Sequence, residues 1–235
     1  MKGLVVFFLI CMFACPVLGQ FEPDYIASGT LPAELKQSYS RYHLFNGREF
    51  VPHNLSAVGS PNHANLVMLD HSSVVFDGFF YNDIPLLYDL VIDQLVTIHP
   101  ERKVEIYLEK HLVDWFSIQR DQFVRIGDVQ SELAPGFYQL VYQGENYICY
   151  AKHSKEVRRY ASGTILEHRF FETVTYYLRI GDDPFRVVKS QKELLSLADD
   201  HRRAIRRALR ANGLSFRARP VESLQAVLNF LDDAN

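Results

Sequence analysis

Four aspartates crowd one short stretch of the chain. Asp77, Asp83, Asp89 and Asp93 all lie within SVVFDGFFYNDIPLLYDLVIDQLV, Ser73 to Val96. Two carboxyls about 5–9 Å apart can serve as acid and base, or acid and nucleophile, at a glycosidic bond. The local pattern argues against that use for three of them. Asp77 opens an Asp-Gly turn, and Asp83 and Asp93 stand where further turns are expected. Asp89 alone reads as a strand residue, on the face of Leu87 and Val91, where a carboxylate becomes part-buried. It is the one catalytic candidate, for a carbohydrate-directed hydrolase. A hydrogen bond from a Tyr, or an Arg partner, accounts for it equally well.

Nine histidines raise the question of a metal. His53, His63 and His71, the last beside Asp70, fall in the least regular part of the pattern. They form no i, i+4 helical pair and no HExxH string. Surface or hydrogen-bonded histidines are therefore expected, and no metal or other cofactor is assigned. Ligands on loops can still converge from any spacing. Cys149 and His153 have the types of a nucleophile and its base. Along one extended strand they stand roughly 13 Å apart, too far for a hydrogen bond, so Cys149 reads as a small buried hydrophobe. No G-x-S-x-G elbow and no phosphate-cradling glycine loop is present.

Two surfaces offer binding instead of chemistry. In HRRAIRRALRA, helical spacing gathers Arg202, Arg203, Arg206, Arg207 and Arg210 within an arc of about 140°. Ile205, Ala208 and Leu209 lie opposite, and Arg217 and Arg219 extend the patch. Such a face is either solvated and balanced by Asp182, Asp183, Asp199 and Asp200, or it docks an acidic envelope protein or an anionic lipid surface. The second surface is aromatic. Phe79, Tyr81, Tyr88 and Tyr142 are the candidates for lining a concave sheet face that carries a lipid or other small apolar ligand. Packing in the core competes with that reading.

The elements that must position these residues are mostly strands. Pairs of apolar-alternating runs flank turns at Asn46-Gly47, Asp77-Gly78, Arg120-Asp121, Gly144-Glu145 and Gly181 to Pro184, a pattern of antiparallel hairpins. A two-residue turn at Asp77-Gly78 pairs Phe76 with Phe79, Val75 with Phe80 and Val74 with Tyr81. Both faces of that hairpin are apolar, so both need cover. In KVEIYLEK, Val104, Ile106 and Leu108 share one face, and Glu105, Tyr107 and Glu109 the other. A short helix is expected over residues 33–42. Near the C-terminus, Ser190 and Glu193 form a capping box, Asn212-Gly213 stops a helix, and Pro220 opens another. The stripe of that last helix is Val221, Leu224, Val227, Leu228 and Leu231.

The first residues, MKGLVVFFLICMFACPVLGQ, combine a basic start, an apolar core too short to span a bilayer and a small-residue cleavage site after Gly19. A rival is acylation at Cys15, though Phe13 is bulky where a small residue is wanted. Cleavage at Gly19 leaves Cys149 as the sole cysteine, so no internal disulfide forms. The net charge of −3 gives no field that points to nucleic acid. The remaining chain is long enough to bury roughly 70% of its unfolded surface.

The pieces LFNGREFV, SVVFDGFFYNDIPLLYDLVIDQLVTI, FVRI and YYLRIGDDPFRVVKSQKELLSL together resemble a family of exported β-rich proteins of Bacteroidota. The resemblance implies export and a β-rich fold, and no activity. Phe45 and Phe50 stand where that pattern has Tyr. The expectation is an α+β chain: residues 1–19 a signal peptide, 20–188 a mainly antiparallel sheet curled into a roll or partial barrel, and 189–235 a helical segment packing on it. Its expected role is that of an exported, non-enzymatic binding or interaction module, periplasmic or extracellular at the cell envelope.

Overall fold

The computed structural model describes residues 43–53, 57–66, 68–127, 132–162, 165–197 and 201–234. The leader, the helix expected over 33–42 and the acids Asp199 and Asp200 lie outside these residues. The fold is mostly β-sheet with a few short helices. Its strands are β1 (Ala57–Val58), β2 (Leu69–Phe76), β3 (Phe79–Asp89), β4 (Gln94–Ile98), β5 (Glu105–Tyr107) and β6 (Val113–Ile118). They continue with β7 (Asp121–Ile126), β8 (Gly136–Gln143), β9 (Tyr147–Ser162), β10 (Ile165–Ile180) and β11 (Arg186–Val188). All belong to one sheet, in the order β1-β10-β9-β8-β7-β6-β2-β3-β4-β5, with β11 also pairing with β10. The sheet is open. Sequential antiparallel hairpins build it, with two exceptions: β2 lies against β6, and β1 runs parallel to β10.

The Asp77-Gly78 hairpin has the expected register, Phe76 opposite Phe79 and Val74 opposite Tyr81. Asp77 and Gly78 both have positive φ, 50° and 73°, as a type I′ turn demands. Three other expectations need correction. Asn46-Gly47 does not make a hairpin. Glu49 bridges Ile106, and the backbone of Arg48 and Phe50 bonds to Tyr107 and Glu105. Gly47 is needed there for close approach, because a Cβ would lie 1.7 Å from the Tyr107 carbonyl oxygen. The β6–β7 turn sits one residue earlier than expected, at Gln119-Arg120, so Asp121 is the first residue of β7 and pairs with Ile118. Asp83 is not in a turn. It has φ 61° inside β3, beside a register irregularity against β2, which fits a bulge.

Period-two alternation fails at Tyr107. It is buried although Ile106 and Leu108 are buried too. Phe50 packs edge-on against its ring at 5.2 Å, and the Arg48 guanidinium covers it at 4.9 Å. The extra layer comes from a segment distant in sequence, which alternation cannot register.

Ring contacts show how far the sheet departs from flatness. The ring centres of Tyr88 on β3 and Phe137 on β8 are 5.8 Å apart, and those of Tyr88 and Phe123 on β7 are 5.2 Å apart. Four strand spacings separate β3 from β8, about 19 Å in a flat sheet. Phe116 stacks on Phe123 at 4.7 Å, and Val74, Phe76, Leu86 and Leu95 complete this cluster.

A second cluster carries the helices α1 (Gln191–Ser196), α2 (Arg202–Ala211) and α3 (Pro220–Asp233). The Ser190 hydroxyl accepts the Glu193 amide at 3.2 Å. Gly213 follows α2 at φ 62°, and Pro220 opens α3. Leu224, Val227, Leu228 and Leu231 are buried against Val141, Cys149, Ala151 and Leu178. At the end of α3, the Asp232 carboxylate accepts the Tyr142 hydroxyl at 2.8 Å and the Asn146 amide at 2.9 Å. No described helix is long and apolar enough to cross a membrane.

Candidate functional site

Two polar nodes are built into the aromatic interior. The first centres on Asp93, in the turn between β3 and β4 with φ 54°. Its Oδ1 accepts the Tyr88 hydroxyl at 2.6 Å, and its Oδ2 accepts Lys110 Nζ at 2.7 Å and Lys152 Nζ at 2.8 Å. Lys152 also donates to the Phe137 carbonyl at 2.9 Å and lies 4.9 Å above the Tyr138 ring. Burial works to raise the Asp93 carboxyl, but the Lys152 ammonium and the three hydrogen bonds outweigh it and hold it below the usual range. Burial lowers Lys152, with Asp93 opposing. Burial, then Asp93, drives the Tyr88 phenol well above its ordinary value. Every polar group of this node is paired.

The second node gathers side chains from five separate segments. His63 stands in a single 3-10 turn, His63–Asn65, before β2. Its Nε2 bonds Asp121 Oδ2 at 2.8 Å. The other Asp121 oxygen accepts Gln139 Nε2 at 2.8 Å, which fixes the amide and turns Gln139 Oε1 toward His153 Nε2, also 2.8 Å away. His153 Nδ1 lies 3.0 Å from Glu172 Oε1. Both nitrogens of His153 therefore face oxygens that only accept, so both carry protons in this arrangement. The hydrogen bond from His153 holds the Glu172 carboxyl below its usual range against its burial. Lys155 Nζ lies 3.6 Å from Glu172 Oε2 and donates to the Ser60 and Asn62 carbonyls and to Asn65 Oδ1. Burial lowers the Lys155 ammonium, partly offset by Glu172.

Strand period two explains this placement. Cys149, Ala151, His153 and Lys155 alternate along β9, and all four are buried. Helices cover the first two; the loop bearing His63 covers the others. The rings of His63 and His153 are 5.0 Å apart and perpendicular, with Phe123 beside both.

On the outside, a cleft of about 510 Å³ opens beside β5–β7 and is lined by Arg48, Lys110, His111 and Arg125, with Glu109 as its one carboxylate among the described residues. Arg125 is anchored by its Nε to the Val113 carbonyl at 2.8 Å and by a guanidinium N–H to Asp114 at 3.3 Å.

The remaining candidates fall as follows. Asp89 is fully buried at the end of β3, and Val91 lies beyond it in the turn instead of on its face. Its Oδ2 meets His53 Nε2 at 2.7 Å, and its Oδ1 accepts the Val91 amide at 2.9 Å. The partner is a histidine, not a Tyr or Arg. Among the described residues no hydroxyl or thiol is hydrogen-bonded to His53. Cys149 is buried, and burial pushes its thiol up to about 12. Asp70 and His71 fall on β2, where its pairing with β3 is irregular between Leu69 and Ser72.

The aromatic quartet is dispersed. Tyr88 is inside the aromatic cluster with Tyr81 packed at its edge, Tyr142 belongs to the helix-covered cluster, and Phe79 is half-buried on β3. The four share no cavity in the described residues. Arg202, Arg203, Arg206, Arg207 and Arg210 are all exposed along α2, with Ile205 and Leu209 buried beneath. Ala208 is exposed, contrary to its expected position on the inner face.

The reading of the residues missed the second node. Asp121 was hidden as a turn residue, Glu172 and Gln139 as ordinary strand residues. The legible signal was a histidine and a lysine, His153 and Lys155, on the same face of a strand as Cys149 and Ala151. Comparison with protein families, with curated proteins and with solved structures gives no match.

Proposed function

We propose that the chain is an exported binding module of the periplasm or cell envelope, and that its ligand is a small anion held in the cleft beside β5–β7. The cleft's lining carries this reading: among the described residues it has three permanent cations and His111 against one carboxylate, with Lys110 and Arg125 each also paired from behind, to Asp93 and Asp114. Arg48 sits over the Tyr107 ring and Arg125 is anchored by its own hydrogen bonds, so two guanidinium groups are held in place to meet carboxylate or phosphate oxygens. Export rests on the leader-like first 19 residues. A roll-shaped sheet is part of the same proposal, supported by the contacts of Tyr88 across four strand spacings.

Citrate, inorganic phosphate and sulfate, titrated at low ionic strength against the chain from residue 20, test it. At least one raises the melting temperature, and Arg48→Ala together with His111→Ala removes the shift. No shift with any of the three, or the same shift in the double variant, sinks the reading.

The exposed arginines of α2 favour a second mode, docking on an anionic lipid surface. Co-sedimentation with phosphatidylserine vesicles that is unchanged by Arg206→Glu with Arg207→Glu would remove it.

A further inference from the structure

The second polar node has the chemistry of a metal centre. One donor atom from each of His63, His153 and Glu172 lies within 4.8 Å of the other two. His63 is 95% buried, and its Nδ1 has no hydrogen-bond partner. A buried ring nitrogen without a partner is costly unless something occupies its lone pair. The outer bonds set the tautomers. Asp121 takes the Nε2 proton of His63, and Gln139 takes that of His153. Nδ1 is then the nitrogen left to each ring. Carboxylate and amide acceptors behind the coordinating histidines are the usual outer shell of a metal site.

We propose that His63 Nδ1, His153 Nδ1 and a Glu172 oxygen bind one divalent transition-metal ion of the zinc class. Two imidazoles and one carboxylate suit such an ion and are a poor match for calcium, which takes oxygen ligands. Binding displaces a single proton, the one on His153 Nδ1 that now points at Glu172, and the metal takes its place between the two groups. The Nε2 protons stay where they are. Lys155 faces the same carboxylate and opposes the metal's charge, but its ammonium is already held by Ser60, Asn62 and Asn65. It acts as a positioning residue, tying the turn that carries His63 to the strand that carries His153.

The test uses the chain from residue 20 without a histidine tag. Titration with Co2+ near neutral pH should give the visible absorption of a low-coordinate cobalt site, and equilibrium dialysis should give one Zn2+ per chain. His63→Gln and Glu172→Gln should each lower affinity at least tenfold, while Asp121→Asn should lower it about 10–100-fold. His201→Ala, on the surface, should change nothing. A wild-type cobalt spectrum that remains that of the hydrated ion overturns the proposal, whether or not a variant folds. Stoichiometric uptake that survives both His63→Gln and Glu172→Gln overturns it equally.

Discussion

The Asp93 and His63 nodes are both polar clusters set against the same aromatic rings, yet their hydrogen-bond accounts differ. Around Asp93, one carboxylate meets two ammonium groups, a phenol and a backbone amide. Around His63, the chain of bonds through Asp121, Gln139, His153 and Glu172 leaves one buried ring nitrogen over. A closed account is a clamp that fixes the fold. An open one has binding capacity that the chain itself does not use. Removing a central group should therefore cost far more stability at the first node than at the second.

The sharpest break is Asp93→Ala, which strands two part-buried ammonium groups. It should destabilise the fold by about 3–5 kcal/mol, read as a lower urea midpoint. Acid does the same reversibly. The folded carboxyls of Asp93 and Glu172 are both lowered from ordinary values of 3.8 and 4.5. Their contribution is complete above about pH 5 and is lost as pH falls through the lower folded values. A melting temperature flat from pH 5 down to pH 3 would contradict this. Tyr88→Phe deletes one bond to Asp93 and keeps the ring, so about 1 kcal/mol is expected. His63→Leu should cost the least, under about 1 kcal/mol without metal. It removes an unpartnered nitrogen, keeps apolar contact with Phe123, and leaves Asp121 bonded to Gln139. A loss as large as that of Asp93→Ala would erase the distinction between the nodes.

Neither node was legible in the sequence, although several local features were. Local chemistry carried the Asp77-Gly78 register, the Ser190 cap, the Pro220 start and the buried stripe of α3, because each depends on residues only a few positions apart. Gly47 was read by the same local rule and failed, since its role is set by the Tyr107 carbonyl some sixty residues away. The His63 node was hidden for a similar reason. Its members come from residues 63, 121, 139, 153 and 172, and no spacing rule links them. The one-residue shift of the β6–β7 turn also mattered, because it makes Asp121 a strand residue within reach of His63 and Gln139. Tyr81 and Tyr88 pack in one cluster and Tyr142 in another, a division that composition does not encode.

The non-sequential contact of β2 with β6 divides the molecule into two ribbons, β2–β5 and β6–β11, whose strands pair with each other along Ser73–Phe76 against Val113–Ser117. Residues 57–62 cross from one ribbon to the other, with Ala57 beside His168 and Asn62 bridged to Asp89. Severing the polypeptide near Lys110 would thus yield two complementary fragments. Their reassembly would rest on that short border, on the crossing strap, on the Asp93–Lys152 pair and on the shared aromatic cluster, and an ion gripped by His63 from one fragment and by His153 and Glu172 from the other would rivet them together.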